Sequence, residues 1–341
     1  MFDPSIATRT HARALQSGAA RVAIVAIALA SLTSACDWRV ETGPSPTPTA
    51  DAATAARDAA ALNEAAIILA LEVPAAIGSG REALAAMEGA AAPAHLDILG
   101  GVYEPFPSAT ASPEPTPAAG DADRGDLRAA VLTARDQALD AAFAASATDG
   151  GFLAGSMGFT HAFALWFAAV TDARAAGVEV PVVAERTLPG PHGDGVSLVP
   201  TSTELDAAAL SKLAVLHDQA RFAYEVIAAR ETGAQRALAL EAAAKHRARS
   251  DALTALAAQD ERTPVYELPG ILIDSPESRA ATARHTEQAL GWAYLELTSG
   301  VSAEDRAWLM SAAFDAYAAG AALPGFTVAE FPVLPGADSS P

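Results

Sequence analysis

The chain has 341 residues and a formal net charge of −19, with 22 lysines and arginines against 41 aspartates and glutamates. That balance excludes a nucleic-acid partner gripped through its phosphates, which requires a basic surface. A single cysteine, Cys36, excludes an intramolecular disulfide and any cysteine-built zinc or redox motif, so stability rests on packing.

The first element is an export signal. Arg9, Arg13 and Arg21 precede the apolar run Val22 to Leu32, and the small residues Thr33, Ser34 and Ala35 lead into Cys36. This is the layout of a bacterial lipoprotein signal over residues 1–35, with Cys36 as the acylated residue. Thr33 stands where leucine is usual. Thr33 and Ala35 also suit cleavage by an ordinary signal peptidase, and retention as an uncleaved anchor is a third reading, although the run falls short of the roughly 20 residues a span needs. Each reading exports the chain. With lipid on Cys36, the expected place is the outer face of the cytoplasmic membrane. Removal of three arginines and Asp3 changes the charge from −19 to −21, so the tether rather than the surface would hold the protein at anionic lipid.

Residues 36–50 form a tether rich in Pro, Ser and Thr. An amino-terminal helical region is expected over 51–176. Its first helix, from Asp51, is interrupted at Pro74, and its second spans Arg81 to Leu99. A disordered Pro-rich loop is expected at 105–120. The third helix starts near Asp126 and runs to about Ala147; the fourth, Phe152 to about Ala176, is apolar around most of its surface and therefore central. A Pro- and Gly-rich linker follows at 177–200 and reads as the domain boundary.

Four more helices are expected in 201–334, before a tail at 335–341. A T-x-x-E capping box at Thr201 to Glu204 opens the first. A turn at Gly233 starts the second, Ser275 and Pro276 cap the third, and Ser302 caps the fourth. Helices of this length joined mostly by short turns make an antiparallel four-helix bundle, giving an all-α fold class.

Inward stripes at spacings of three and four carry His217 on the first of these helices, His246 on the second and Glu287 on the third. Counted from the turns, these three and Asp315 on the fourth fall at one height. Two imidazoles and two carboxylates at one level suit a single zinc, manganese or iron ion. The competing reading is a buried ion network in which Arg247, Arg249 or Arg284 neutralises the carboxylates. His161, in "GFTHAFALWF", is read as a satisfied core or interface histidine rather than a ligand.

The segments "HDQARFAYEVIAAR" at His217, "KHRARSDALTAL" at Lys245, "RHTEQALGWAYLEL" at Arg284 and "AAFDAYAAG" at Ala312 resemble the actinobacterial ferritin-like domain of unknown function 4439. The resemblance implies a ferritin-like four-helix bundle on an exported or lipid-anchored protein, and no known activity. It matches His246, Asp251, Glu287 and Asp315 to residues expected of the family, whereas His217 stands in place of a glutamate. A carboxylate-bridged di-iron site needs E-x-x-H pairs, and the chain contains none. Two functional readings follow. One is a non-catalytic envelope scaffold or module for an envelope protein partner, needing no cofactor. The alternative is a metal-binding or redox protein with a mononuclear centre at His217, His246, Glu287 and Asp315. A lesser third reading places a small apolar ligand among the aromatics from Phe159 to Phe167.

Overall fold

The computed structural model describes residues 51–73, 78–103, 126–145, 151–267 and 273–336. The signal, Cys36, the tether and the loop at 105–120 lie outside them. Among the described residues the regular structure is all helical. The helices are α1 (Ala52–Glu72), α2 (Ser79–Ile98), α3 (Leu127–Ala144), α4 (Gly151–Ala175), α5 (Ala207–Arg230), α6 (Gly233–Ala257), α7 (Pro276–Glu296) and α8 (Ala303–Ala322), followed by a 3₁₀ turn at Val328–Glu330.

Local chemistry sets the helix starts. Asp51, Asp126, Asp206, Ser275 and Ser302 each accept a hydrogen bond from a first-turn backbone N–H. The Thr201 to Glu204 capping box does not form. Asp206 caps α5 instead, and the Thr203 hydroxyl and Glu204 N–H donate to the buried carboxylate of Asp305 at 2.6 and 2.9 Å. A tertiary acceptor outcompetes the local one.

The eight helices form two sets of four with the same path. In the first set, contacts Glu64–His95 and Arg57–Gly101 make α1 and α2 antiparallel. Gly80–Asp172 and Glu88–His161 make α2 and α4 antiparallel, and Gly151–Ala145 with Gly158–Leu139 do so for α3 and α4. In the second set, Ala214–Ser250 and His217–His246 pair α5 with α6, Lys212–Glu296 and Tyr224–Glu287 pair α5 with α7, and Gly291–Tyr317 and Glu287–Gly320 pair α7 with α8, again antiparallel. Both sets therefore run up, down, down, up, with a crossover between their second and third helices. Two glycines at close helix–helix approaches are structural: a Cβ on Gly158 would stand 2.8 Å from the Leu139 side chain, and one on Gly291 2.5 Å from the Tyr317 ring.

The sets share one core, and from Asp51 onward the chain is one compact unit. Residues 177–200 are thus not a joint between separately packed bodies: Leu188 is buried, and the Arg186 N–H binds Asp315. α4 runs alongside α8 with the same polarity, through Gly155–Met310, Phe159–Phe314 and Phe163–Tyr317. It is long and apolar enough to cross a membrane, yet most of it is buried in this core. Its aromatics pack on α8 and on the residues that follow it. Phe163 stacks on Phe331 at 4.1 Å and meets Phe314, Tyr317 and Phe326 edge-on.

Candidate metal centre

His217, His246 and Glu287 do come together in the second set, but in series. His217 Nε2 lies 2.7 Å from the Tyr294 hydroxyl, and His217 Nδ1 lies 3.0 Å from His246 Nδ1. His246 Nε2 lies 3.1 Å from Glu287 Oε1, which also accepts the Tyr224 hydroxyl at 2.8 Å. His246 uses opposite sides of its ring for its two neighbours, so the three residues share no central point. With both imidazoles neutral the chain closes: Tyr294 O–H donates to His217, His217 to His246, and His246 and Tyr224 to Glu287. Burial, then proximity to His246, Arg249 and Lys245, holds the His217 pKa well below its usual value.

Asp315 stands apart from this chain. Fully buried, it pairs with Lys245 at 2.7 Å and Arg249 at 2.8 Å and accepts the Arg186 backbone N–H at 2.8 Å. Arg249 is the neutralising residue here; Arg247 pairs with Glu225 and Arg284 with Glu330. Asp251 is exposed and pairs with Arg262. Asp315 is therefore corrected from candidate ligand to the anion of an ion network, because two cations on α6 reach it first.

The convergent cluster lies in the other set. Glu64 on α1, His95 on α2 and His161 on α4 are buried at 0–1% exposure, and one donor atom from each lies within 4.8 Å of the other two. His95 Nδ1 and His161 Nε2 face the same oxygen, Glu64 Oε1, at 3.2 and 3.0 Å. The far nitrogens are already committed. His95 Nε2 is 2.9 Å from the Val333 carbonyl, which can only accept, so this nitrogen carries a proton. His161 Nδ1 is 3.0 and 3.1 Å from the two oxygens of Glu88, on α2 two turns before His95, and donates to them. With each imidazole neutral, the two inward nitrogens would join Glu64 as electron-pair donors around one point. No donor among the described residues reaches Glu64 Oε2, which is buried.

Such a gathering needs positive charge at its centre. Without an ion, protons supply it. Burial opposes charge on each group, but Glu88 and Glu64 overcome it and raise His161 to about 10, while His161 and His95 lower Glu64 to about 2. A divalent ion could replace these protons. Ligand bonds of about 2.0–2.2 Å at tetrahedral angles separate donors by roughly 3.3–3.6 Å, a few tenths of an ångström beyond the 3.2 and 3.0 Å at which the two imidazole nitrogens stand from Glu64 Oε1. The donor set is two imidazoles and one carboxylate, with a carboxylate and a backbone carbonyl orienting the imidazoles from outside.

The sequence reading passed over this cluster. Its members are spread over α1, α2 and α4 without the E-x-x-H spacing that marks a site locally. A signal existed in the buried stripes: Glu64 lies among Ala61, Ile67 and Ala70, and Glu88 and His95 lie among Leu84, Ala91 and Ala92.

Comparison with known families reaches only the second set. Residues 209–339 match the family described as a domain of unknown function, DUF4439. No curated protein and no solved structure matches the chain. The match spans α5 to α8 and the tail, so α1 to α4 and the convergent cluster lie outside it.

Proposed function

We propose that the protein is an exported, lipid-anchored scaffold of two ferritin-like four-helix bundles, of which the first holds one transition-metal ion. The up, down, down, up path with a single crossover, repeated in both sets, supports the ferritin-like reading. The observation that carries the metal reading is the convergence of Glu64 Oε1, His95 Nδ1 and His161 Nε2. Two imidazoles and a carboxylate suit zinc, manganese or iron. Burial of all three ligands favours a structural ion that locks α1, α2 and α4 together over a centre open to substrate. One metal charge of +2 would balance Glu64 and Glu88.

The test is elemental analysis of residues 37–341, purified without a histidine tag or chelator. About one equivalent of metal is expected. His95→Ala and His161→Ala should each abolish it, whereas His217→Ala, in the serial chain, should leave it unchanged. No metal after reconstitution with zinc, manganese and iron, or loss in His217→Ala alone, would reject the centre. For the anchor, Cys36→Ser is expected to move the full-length protein from the membrane to the soluble fraction of cells; continued membrane retention would count against lipidation.

A further inference from the structure

The last described residues of the chain do not end on their own bundle. After α8 and the 3₁₀ turn, the tail crosses onto the first set. Phe331 stacks on Phe163, and the Thr160 hydroxyl on α4 has two acceptors at 3.1 Å, the Val333 carbonyl and the Ser156 carbonyl of its own helix. The Ser156 hydroxyl, one turn earlier, donates to the Pro335 carbonyl at 2.9 Å. Leu334 is buried between these two anchors. The Val333 carbonyl is also the 2.9 Å partner of His95 Nε2. An imidazole that gives its proton to an outer acceptor presents its other nitrogen as an electron pair, and this outer contact fixes the ring's orientation.

We infer that the tail, residues 331–336, is a positioning element of the metal centre: the Val333 carbonyl holds His95 in the tautomer that offers Nδ1 to the ion, so tail docking controls how tightly the ion is kept. The inference rests on the metal reading above. It ties the second bundle to the first, because a backbone acceptor supplied after α8 completes a site whose ligands all come from α1 to α4. Glu88 orients His161 from within the first set, so only the His95 side of the centre depends on the tail.

The test uses residues 37–341 loaded with Co²⁺, whose visible spectrum reports ligand geometry, and follows release to a chelator. Deleting residues 332–341 keeps Phe331 and removes the carbonyl. The double variant Ser156→Ala, Thr160→Val leaves the tail in place but removes both of its hydroxyl anchors. Ile227→Ala, which truncates the separate core cluster around Tyr224, Ala239 and Ala283 that holds no tail residue, serves as a loosened protein with an intact tail. The deletion is expected to release Co²⁺ about 10–100-fold faster, with an altered spectrum. The double variant should move in the same direction by less, and Ile227→Ala should match the parent. A folded deletion with parental release and spectrum would overturn the inference. Should the deletion not fold, parental behaviour of the double variant would overturn it. Failure of the parent itself to bind Co²⁺ would reject the centre and, with it, the role of the tail.

Discussion

Arg306→Ala is expected to destabilise the protein by about 3 kcal/mol or more, because each buried carbonyl left without a donor costs about 1–3 kcal/mol. Arg306 is almost fully buried in the first turn of α8, where the helix dipole disfavours a cation. Among the described residues its partners are all backbone carbonyls. Nη1 donates to Ala142 and, at 3.5 Å, to Ala145 at the end of α3; Nη2 donates to Val301 at 3.2 Å; Nε donates to Thr298 at 3.4 Å beyond the end of α7. One guanidinium thus satisfies the carbonyl ends of helices from both sets. Lysine keeps the charge, but its single ammonium cannot span these acceptors, so Arg306→Lys should recover only part of the loss. Urea unfolding of residues 37–341 measures this, with the exposed Arg128→Ala as reference. A loss below about 1 kcal/mol would mean that water or a neighbour takes over the carbonyls.

Asp315→Asn is expected to cost about 3–5 kcal/mol near neutral pH, the usual penalty for stranding buried charge by removing one partner. Lys245, with its side chain 10% exposed, would lose the anion it contacts at 2.7 Å, and Arg249, 6% exposed, would keep only the exposed Glu185 at 3.0 Å. The pH dependence has a definite sign. Burial alone would raise the Asp315 pKa, but Arg249, Lys245 and the Arg186 N–H hold it below the ordinary value of 3.8. The carboxylate's contribution is therefore complete above the unfolded pKa and is lost as pH falls through the lower folded value. Parent and Asp315→Asn should differ most above about pH 5 and converge in strong acid. Unfolding curves from pH 2 to pH 8 test this. A gap that does not narrow toward acid would remove the ion network as its cause.

Much of the helical order was legible in short-range chemistry. Asp126, Ser275 with Pro276, and Ser302 mark helix starts, since a cap depends only on residues within one turn. The apolar character of α4 likewise announced burial. The T-x-x-E box at Thr201 misled because Asp305, about a hundred positions away, offers its carboxylate to Thr203 and Glu204. Height counting brought His217, His246 and Glu287 to one level, since rise per residue is fixed in a helix. It could not say which ring nitrogen faces which neighbour, and that choice separates a serial chain from a convergent site.

Composition and local pattern by themselves determined an all-helical, strongly acidic chain without disulfides, because charge, cysteine count and capping do not depend on distant contacts. Tertiary structure alone decided that two sets of four helices repeat one path. It alone gathered Glu64, Glu88, His95 and His161 from three helices. The physical reason is that a metal-type constellation is defined by the directions of donor atoms to within tenths of an ångström. Those directions are set by how helices far apart in sequence pack together, and by a tail that returns across 238 residues to orient His95.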